Sequence, residues 1–507
     1  MRFPLSLRSL VCMVWLCGFV TCLGRLEAAP VLKAGVAKAD ITLREGLRVN
    51  DPLFAKALVL QTDETPVVLL TLDVVAIGGI GKIGNDFLPN LRARLHKECG
   101  ILPERVFVNA SHCHGVPSPE TPQLAFEAVR NALRGMVPVR MASGTVLEDR
   151  ISENRRLRLK DGSEADMRRA YALPSESEVV SVGPIDPTVG LLRLDRLDGT
   201  PLAVVYQFAC HPILNPPSVG NSADFPGFAS RVIEEGLGHG AVALFLQGCG
   251  GDVNPVRYKS VQELPKAETL GNLLGVKAMS ALKGMKTVEE GRLRAVSQKV
   301  VLPRGRDLGA RIAAVEAEQV RLVRSLKGTD VDFRSFLSLY LQERLAPETP
   351  SFHIQGYLQE KAMGREDRLR LDQDNKRSVE AYLGNLKIME QLTRLNANLA
   401  LLQRHQREIQ AAGEMSLEVE LGGVRIGDFR WVTFPGELTV EVGLELKRKA
   451  GDGLTFVSGY TNGYIYYLPT EVQRRNRGVA QEDCDCVVDA EWRGVFEARA
   501  LEVLLKL

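Results

Sequence analysis

VVLLTLDVV (67–75), FLPNLRARLHKE (87–98), VFVNAS (106–111) and PQLAFEAVRNALRG (122–135) follow one another with only short connections between them. The first and third are short apolar runs rich in β-branched residues, and the second and fourth carry apolar residues at helical spacing. Strand and helix in alternation argue for a layered α/β domain with a mixed sheet. Further along, LLRLDR and LAVVYQFA flank Leu197-Asp198-Gly199-Thr200, and Asp-Gly is a strong tight-turn signal, so Leu192 to Ala209 reads as a hairpin. AVALFLQ (241–247) reads as a buried strand ended by Gly248-Cys249-Gly250-Gly251.

Near Arg304 the pattern changes. Leu308, Ile312, Val315, Leu322 and Leu326 form a helical stripe, and Ile388, Leu392, Leu395, Leu399 and Leu402 keep the alternating four-three spacing of a heptad seam. Such a seam suits a helical hairpin packed within the chain or the arm of a homodimer. Strand-like alternation returns in SLEVELGGVRIGDFRWVTF (416–434). The expected organisation is a leader at 1–29, an α/β catalytic domain over 30–303 and 413–507, and a helical insertion at 304–412.

At the N-terminus Arg2 and Arg8 precede an apolar run from Leu10 to Leu23, followed by Ala28 and Ala29. This is the pattern of a secretory signal peptide, so export to a periplasm or the extracellular space is expected. The run is short for a membrane span, and no later segment approaches about 18 uninterrupted apolar residues. Lipid attachment at Cys22 is the alternative, but Thr21 stands where a lipobox needs Gly, Ala or Ser. The chain carries 64 basic and 62 acidic residues, and without the leader the two balance. That balance supplies no global attraction to nucleic acid. Six cysteines lie beyond the leader, Cys99, Cys113, Cys210, Cys249, Cys484 and Cys486, too few to scaffold so long a chain. Cys484-Asp485-Cys486 lacks the spacer of a zinc knuckle or redox motif and reads as structural or disulfide-forming.

Three of the seven histidines fall in two short motifs at strand ends, Ser111-His112-Cys113-His114-Gly115 and Ala209-Cys210-His211-Pro212. In an extended segment residues i and i+2 share a side, so His112 and His114 are expected to face one cavity while Cys113 faces away. Imidazole is the commonest metal ligand and leaves the metal's charge uncompensated, which favours Lewis acidity. Cys249 is a rival nucleophile, but no base accompanies it, and it reads as a packing residue. No GxSxG elbow, Walker loop or complete GxGxxG fingerprint is present in the sequence.

Several segments in order give the chain a wider likeness. They are Gly35-Val36-Ala37-Lys38-Ala39-Asp40-Ile41-Thr42, the His112 motif, Asn154-Arg155, FACHP (208–212), Ser222-Ala223-Asp224, Gly251-Asp252-Val253-Asn254-Pro255, Pro435-Gly436-Glu437 and Asn462-Gly463-Tyr464-Ile465-Tyr466-Tyr467. In this order the sequence resembles the neutral ceramidase family of zinc amidases, over most of its length except the helical insertion. The resemblance implies one Zn2+ held by His112, His211, Glu437 and Tyr467, with His114 and Arg155 near the metal holding substrate or stabilising charge. It implies a small-molecule or lipid N-acyl amide as substrate, and with a lipid substrate a peripheral contact with membrane. The chain ends at Leu507, soon after Tyr467, so the immunoglobulin-like C-terminal domain of typical ceramidases is expected to be absent. Where the family places a serine, this chain has Asn254, which can orient a substrate amide or water but cannot be a nucleophile. The expectation is therefore amide hydrolysis by metal-activated water, with a zinc hydrolase for another amide or ester, or a zinc-binding protein without turnover, as alternatives.

Overall fold

All six side chains of the strand Val67–Leu72 are buried, which requires cover on both faces of its sheet. Val68, Leu70 and Leu72 pack with Phe87 and Leu91 of the helix Phe87–Cys99 and with Phe126 of the helix Thr121–Arg134; Val67 and Leu69 join a second core containing Phe429, Trp431 and Phe456. The strand Val106–Ala110 divides in the same way, Val106 and Val108 toward the helices and Phe107 toward the second core. A two-residue period thus feeds two cores at once. The computed structural model describes residues 31–507 apart from 63–64, 167–173, 259, 261 and 477–479, so the expected leader lies outside the described residues.

These strands belong to an eight-stranded mixed sheet of order Val242–Gln247, Pro201–Phe208, Thr188–Arg196, Val137–Leu147, Lys33–Asp40, Phe54–Gln61, Val67–Leu72, Val106–Ala110. The pairs at its two ends are parallel and those between are antiparallel. Parallel neighbours need a crossover, and the helices Phe87–Cys99 and Asp224–Leu237 lie in the two crossovers. The Asp198-Gly199 turn joins Thr188–Arg196 to Pro201–Phe208 as expected, with Gly199 at φ 86°. A second sheet, Leu293–Pro303, Ser416–Ile426, Phe429–Thr433 and Thr455–Ser458, packs on the first through the core around Trp431. Leu446, Trp492 and Phe496 of the helices Val440–Ala450 and Trp492–Lys506 cover its other face. The layers therefore run helix, sheet, sheet, helix.

The two edges of the large sheet come together. Gln247 N donates to Asn109 Oδ1 at 3.0 Å, Asn109 bridges Thr461, and Gly248 bridges Ser458. This joins the carboxyl ends of the two parallel pairs, where α/β sheets characteristically bind ligands.

Leu293–Pro303 and Ser416–Ile426 pair along their whole length, from Leu293↔Ile426 to Pro303↔Ser416. Between them run the helices Leu308–Ser325, Phe333–Leu345, Ile354–Ala362 and Asp367–Ala412. Leu308 and Val315 pack against Leu402 and Ile409, with Ile312, Leu395 and Leu399 around them, so this part of the seam is buried within the chain. Leu326 falls outside the stripe expected of it, because the first helix ends at Ser325. Phe333–Leu345 and Ile354–Ala362 had no signal in the apolar pattern, since Phe333, Leu337, Leu341, Leu345, Ile354 and Leu358 are exposed and Phe336 alone of these two helices is buried.

Leu402→Asp would place a charge among these leucines. A loss of about 3–5 kcal/mol of stability with no change of mass in solution is expected, read by melting and light scattering. A variant that melts with the parent, or that halves in mass while still folded, would contradict this packing.

Candidate metal centre

His112 follows the strand Val106–Ala110, and its backbone is left-handed, at φ 65°, rather than extended. The expectation that His112 and His114 share a cavity holds, but a turn and not a pleat produces it. Both line one cavity of about 420 Å³, His114 exposed at its rim, while Cys113 is buried in the core with Val108 and Phe126. His112 N donates to Val74 O at 3.0 Å, and its Nδ1 lies 2.6 Å from Val75 O. His211 is held alike, its N 2.9 Å and its Nδ1 3.1 Å from Val253 O. A carbonyl can only accept, so each Nδ1 carries the hydrogen and each neutral ring presents an Nε2 lone pair. Both point at Glu437: His112 Nε2 is 3.5 Å and His211 Nε2 3.0 Å from Oε2.

Glu437 and Tyr467 arrive side by side because Glu437–Leu438 and Tyr467–Leu468 form a parallel two-residue ladder in the register Glu437↔Tyr467. The turn beneath it is tight: a Cβ on Gly459 would stand 2.2 Å from the Gly436 carbonyl oxygen. Tyr466, at φ 63°, diverges from its neighbour Tyr467. It turns toward the insertion, where its hydroxyl donates to Glu408 Oε1 at 3.0 Å, whereas the Tyr467 ring stacks on His211 with centroids 6.4 Å apart. Tyr464 donates its hydroxyl to Glu437 Oε1.

The ligand atoms of His112, His211 and Glu437 all lie within 4.8 Å of one another, and all three residues are buried. Three converging lone-pair donors on buried residues require a cation or added protons among them, so the donor set fits a divalent metal. Burial opposes the charge on Glu437, but where protons stand on the two rings in place of a metal, His112 and His211, with the Tyr464 hydroxyl, outweigh it and hold the carboxyl far below its ordinary range.

Arg155 is not the solvated charge its basic neighbours suggest. It is 1% exposed, in the cavity wall, with Nη1 3.0 Å from Asn254 Oδ1, Nη2 2.5 Å from Gly251 O and 2.6 Å from Glu482 Oε1. Its Cζ stands 5.6 Å from the Tyr467 ring centre. Asn254 lies behind Arg155, on the strand Val253–Pro255 that pairs with Ser152–Asn154, and hydrogen-bonds Tyr258, which itself lines the cavity. Cys249 lies in the core with Val457 and Leu438, its thiol pushed well up by burial, as a packing residue and not a nucleophile. All six cysteines among the described residues are free thiols, Cys484 and Cys486 included.

Residues that sequence reasoning did not single out complete the site. Tyr460 donates to Glu437 Oε2 at 3.3 Å, Glu482 pairs with Arg155, Asp485 accepts the Tyr467 amide through its carbonyl, and Leu401 and Arg404 of the long helix enter the wall. Tyr460 stands only a few residues ahead of the tyrosine pair, a usable signal. Glu482, Asp485 and Arg404 carry none, because only the tertiary fold brings them to the metal ligands.

The layered α/β architecture, with its site at the strand ends, is the fold of the ceramidases. It is similar to the crystal structure of neutral ceramidase from Pseudomonas aeruginosa, with a TM-score of 0.57 and 14% identity over 94% of this chain and 74% of that one. It is also similar to a ceramidase complexed with C2, with a TM-score of 0.58 and 15% identity over 94% and 75%. No protein-family model matches the sequence, and no curated protein does.

Elemental analysis should find one divalent metal ion per chain, falling below about a tenth of that in His112→Ala or His211→Ala. Full occupancy in both variants would refute the centre. Arg155→Met leaves the buried Glu482 with Arg156 alone, at 3.4 Å, and should cost about 3–5 kcal/mol in denaturant unfolding; a loss under about 1 kcal/mol would show that the pair is not buried in solution.

Proposed function

We propose that this protein is an exported zinc-dependent amidohydrolase that cleaves an N-acyl amide of ceramide-like lipid type by metal-activated water. The observation that carries this reading is the convergence of His112, His211 and Glu437 in a cavity at the strand ends of a ceramidase-like fold. Two imidazoles and one carboxylate are a known catalytic zinc set, and in this reading Tyr467 completes it, which its backbone pairing with Glu437 supports. The charge and apolar pattern of residues 1–29 supports export.

Zinc at this centre supplies Lewis acidity, lowering the pKa of water toward about 7 and polarising an amide carbonyl. The rest of the chemistry falls to the chain. Tyr460 and Tyr464 fix both oxygens of Glu437, so the carboxylate is oriented before any ligand arrives. Arg155, locked on three sides and always charged, faces the cavity where negative charge develops on the carbonyl oxygen. Asn254 holds the Arg155 guanidinium in place. His114, exposed at the rim, binds polar groups of the substrate and can return a proton to the leaving amine.

A short-chain N-acyl sphingosine and a small ester panel test this. Amide cleavage should vanish with chelator and return with zinc. Asn254→Ala should lower kcat about tenfold to a hundredfold, which is about 1.4–2.8 kcal/mol of transition-state stabilisation, and Cys249→Ala should leave it unaltered. A zinc-loaded protein that cleaves only esters would be a hydrolase of another class, and one that cleaves nothing would be a binding protein without turnover; either result overturns the proposal.

A further inference from the structure

The long helix Asp367–Ala412 reaches beyond the core of the insertion, since Leu401 and Arg404 form part of the wall of the metal cavity. The Arg404 guanidinium lies 4.6 Å from the centre of the Tyr466 ring. Its Nη2 donates to Asp485 Oδ1 at 2.5 Å and stands 3.3 Å from His405 Nε2, and its Nε is 3.9 Å from Glu408 Oε1. Asp485 Oδ1 is shared, because His405 Nε2 also lies 2.8 Å from it. Nη1 has no hydrogen-bond partner among the described residues, and the side chain is 38% exposed. Arg155, the other arginine of the wall, is committed on three sides and sealed. Arg155 Nε also lacks a partner, but that side chain is buried, so of the two cations Arg404 is the one that reaches solvent with a donor nitrogen unengaged.

Resting on the amidase chemistry of that reading and not on its ceramide-like amine half, we propose that Arg404 selects substrates whose amine half carries a carboxylate close to the amide nitrogen, the N-acyl amino acids, over neutral N-acyl amides. A cavity of about 420 Å³ places any group that meets Arg404 near the metal ligands. In an N-acyl amino acid the carboxylate carbon is two bonds from the nitrogen, while the acyl tail stays apolar and can leave through the open side. Arginine is suited to this role, because its planar, permanently charged donors match a carboxylate and are weakly hydrated. Tyr466 and Asp485 hold the guanidinium in one plane, which lowers the ordering cost of binding. Selectivity would then come from the insertion, and the chemistry from the sheets.

The test compares N-decanoylglycine with N-(2-hydroxyethyl)decanamide, which share the acyl amide and differ in carboxylate against hydroxymethyl. Both kcat/KM and equilibrium Kd are measured on metal-loaded protein, with metal content and melting as checks on the fold. The wild type should favour the carboxylate by about tenfold or more, Arg404→Met should bring the ratio to within about threefold of one, and Arg404→Lys should lie between. Arg404→Gln, which can still donate to Asp485, serves in place of the Met variant should that one not fold. A wild-type ratio near one, or a high ratio kept in the Met or Gln variant because the metal itself reads the carboxylate, overturns the proposal. Should the wild type cleave neither amide, the amidase reading fails, and the Kd ratios decide the Arg404 proposal alone by the same thresholds.

Discussion

Glu437 is a carboxylate with 2% of its surface exposed, and a charge so placed is tolerable only if matched within hydrogen-bond reach. Two imidazole nitrogens and the hydroxyls of Tyr460 and Tyr464 surround it. The imidazoles come from two strand ends and both hydroxyls from a third segment, so the need to satisfy one buried charge ties four segments together, that of Glu437 included. The strands Val106–Ala110 and Pro201–Phe208 deliver His112 and His211 just beyond their carboxyl ends. Carbonyls of Val75 and Val253 fix the two rings, and the short ladder with Tyr467 fixes the carboxylate. A metal among these donors gains from an orientation already made in the folded protein.

Around this centre lies a ring of buried ion pairs that holds the cavity wall. Glu482 takes Arg155 on one oxygen and Arg156 on the other, and Arg156 also pairs with Glu164 and Asp483. These contacts join residues 155–164 to residues 482–483, and through Asp485 to Tyr467 and the long helix. Such a network is a poor source of net stability but a strict source of geometry, since loss of one member strands the others. The insertion is bound into it from outside by His405 and Arg404 on Asp485 and by Tyr466 on Glu408. It is therefore a wall of the site as well as an appendage.

The layering was legible because Val67–Leu72 and Val106–Ala110 read as apolar runs broken only by Thr71 and Asn109, the mark of strands covered on both faces. The leucine seam was legible from its spacing, and the helices Phe333–Leu345 and Ile354–Ala362 were not, because their large apolar residues face outward and mimic no core pattern. At the site, His112, His211 and Glu437 were found through short motifs and do converge. The extended geometry expected at His112 was wrong in mechanism, since a left-handed residue there depends on the Val74 and Val75 carbonyls, which no local pattern announces. The basic neighbours Arg156, Arg158 and Lys160 give no sign that Arg155 is an interior residue, which its contacts with the distant Glu482, Asn254 and Gly251 make it. Glu482, Asp485 and Arg404 were invisible for the same reason: their meaning lies in contacts across large sequence separations.

Anomalous diffraction from crystals of the purified protein, recorded on either side of the zinc absorption edge, tests the central claim most directly. The account predicts one peak per chain that appears only above the edge, bounded by His112 Nε2, His211 Nε2 and the Glu437 carboxylate, with the Tyr467 hydroxyl next to it. A zinc-replete crystal with no peak there, or with Glu437 bonded to protonated His112 and His211 and the metal elsewhere, would contradict it.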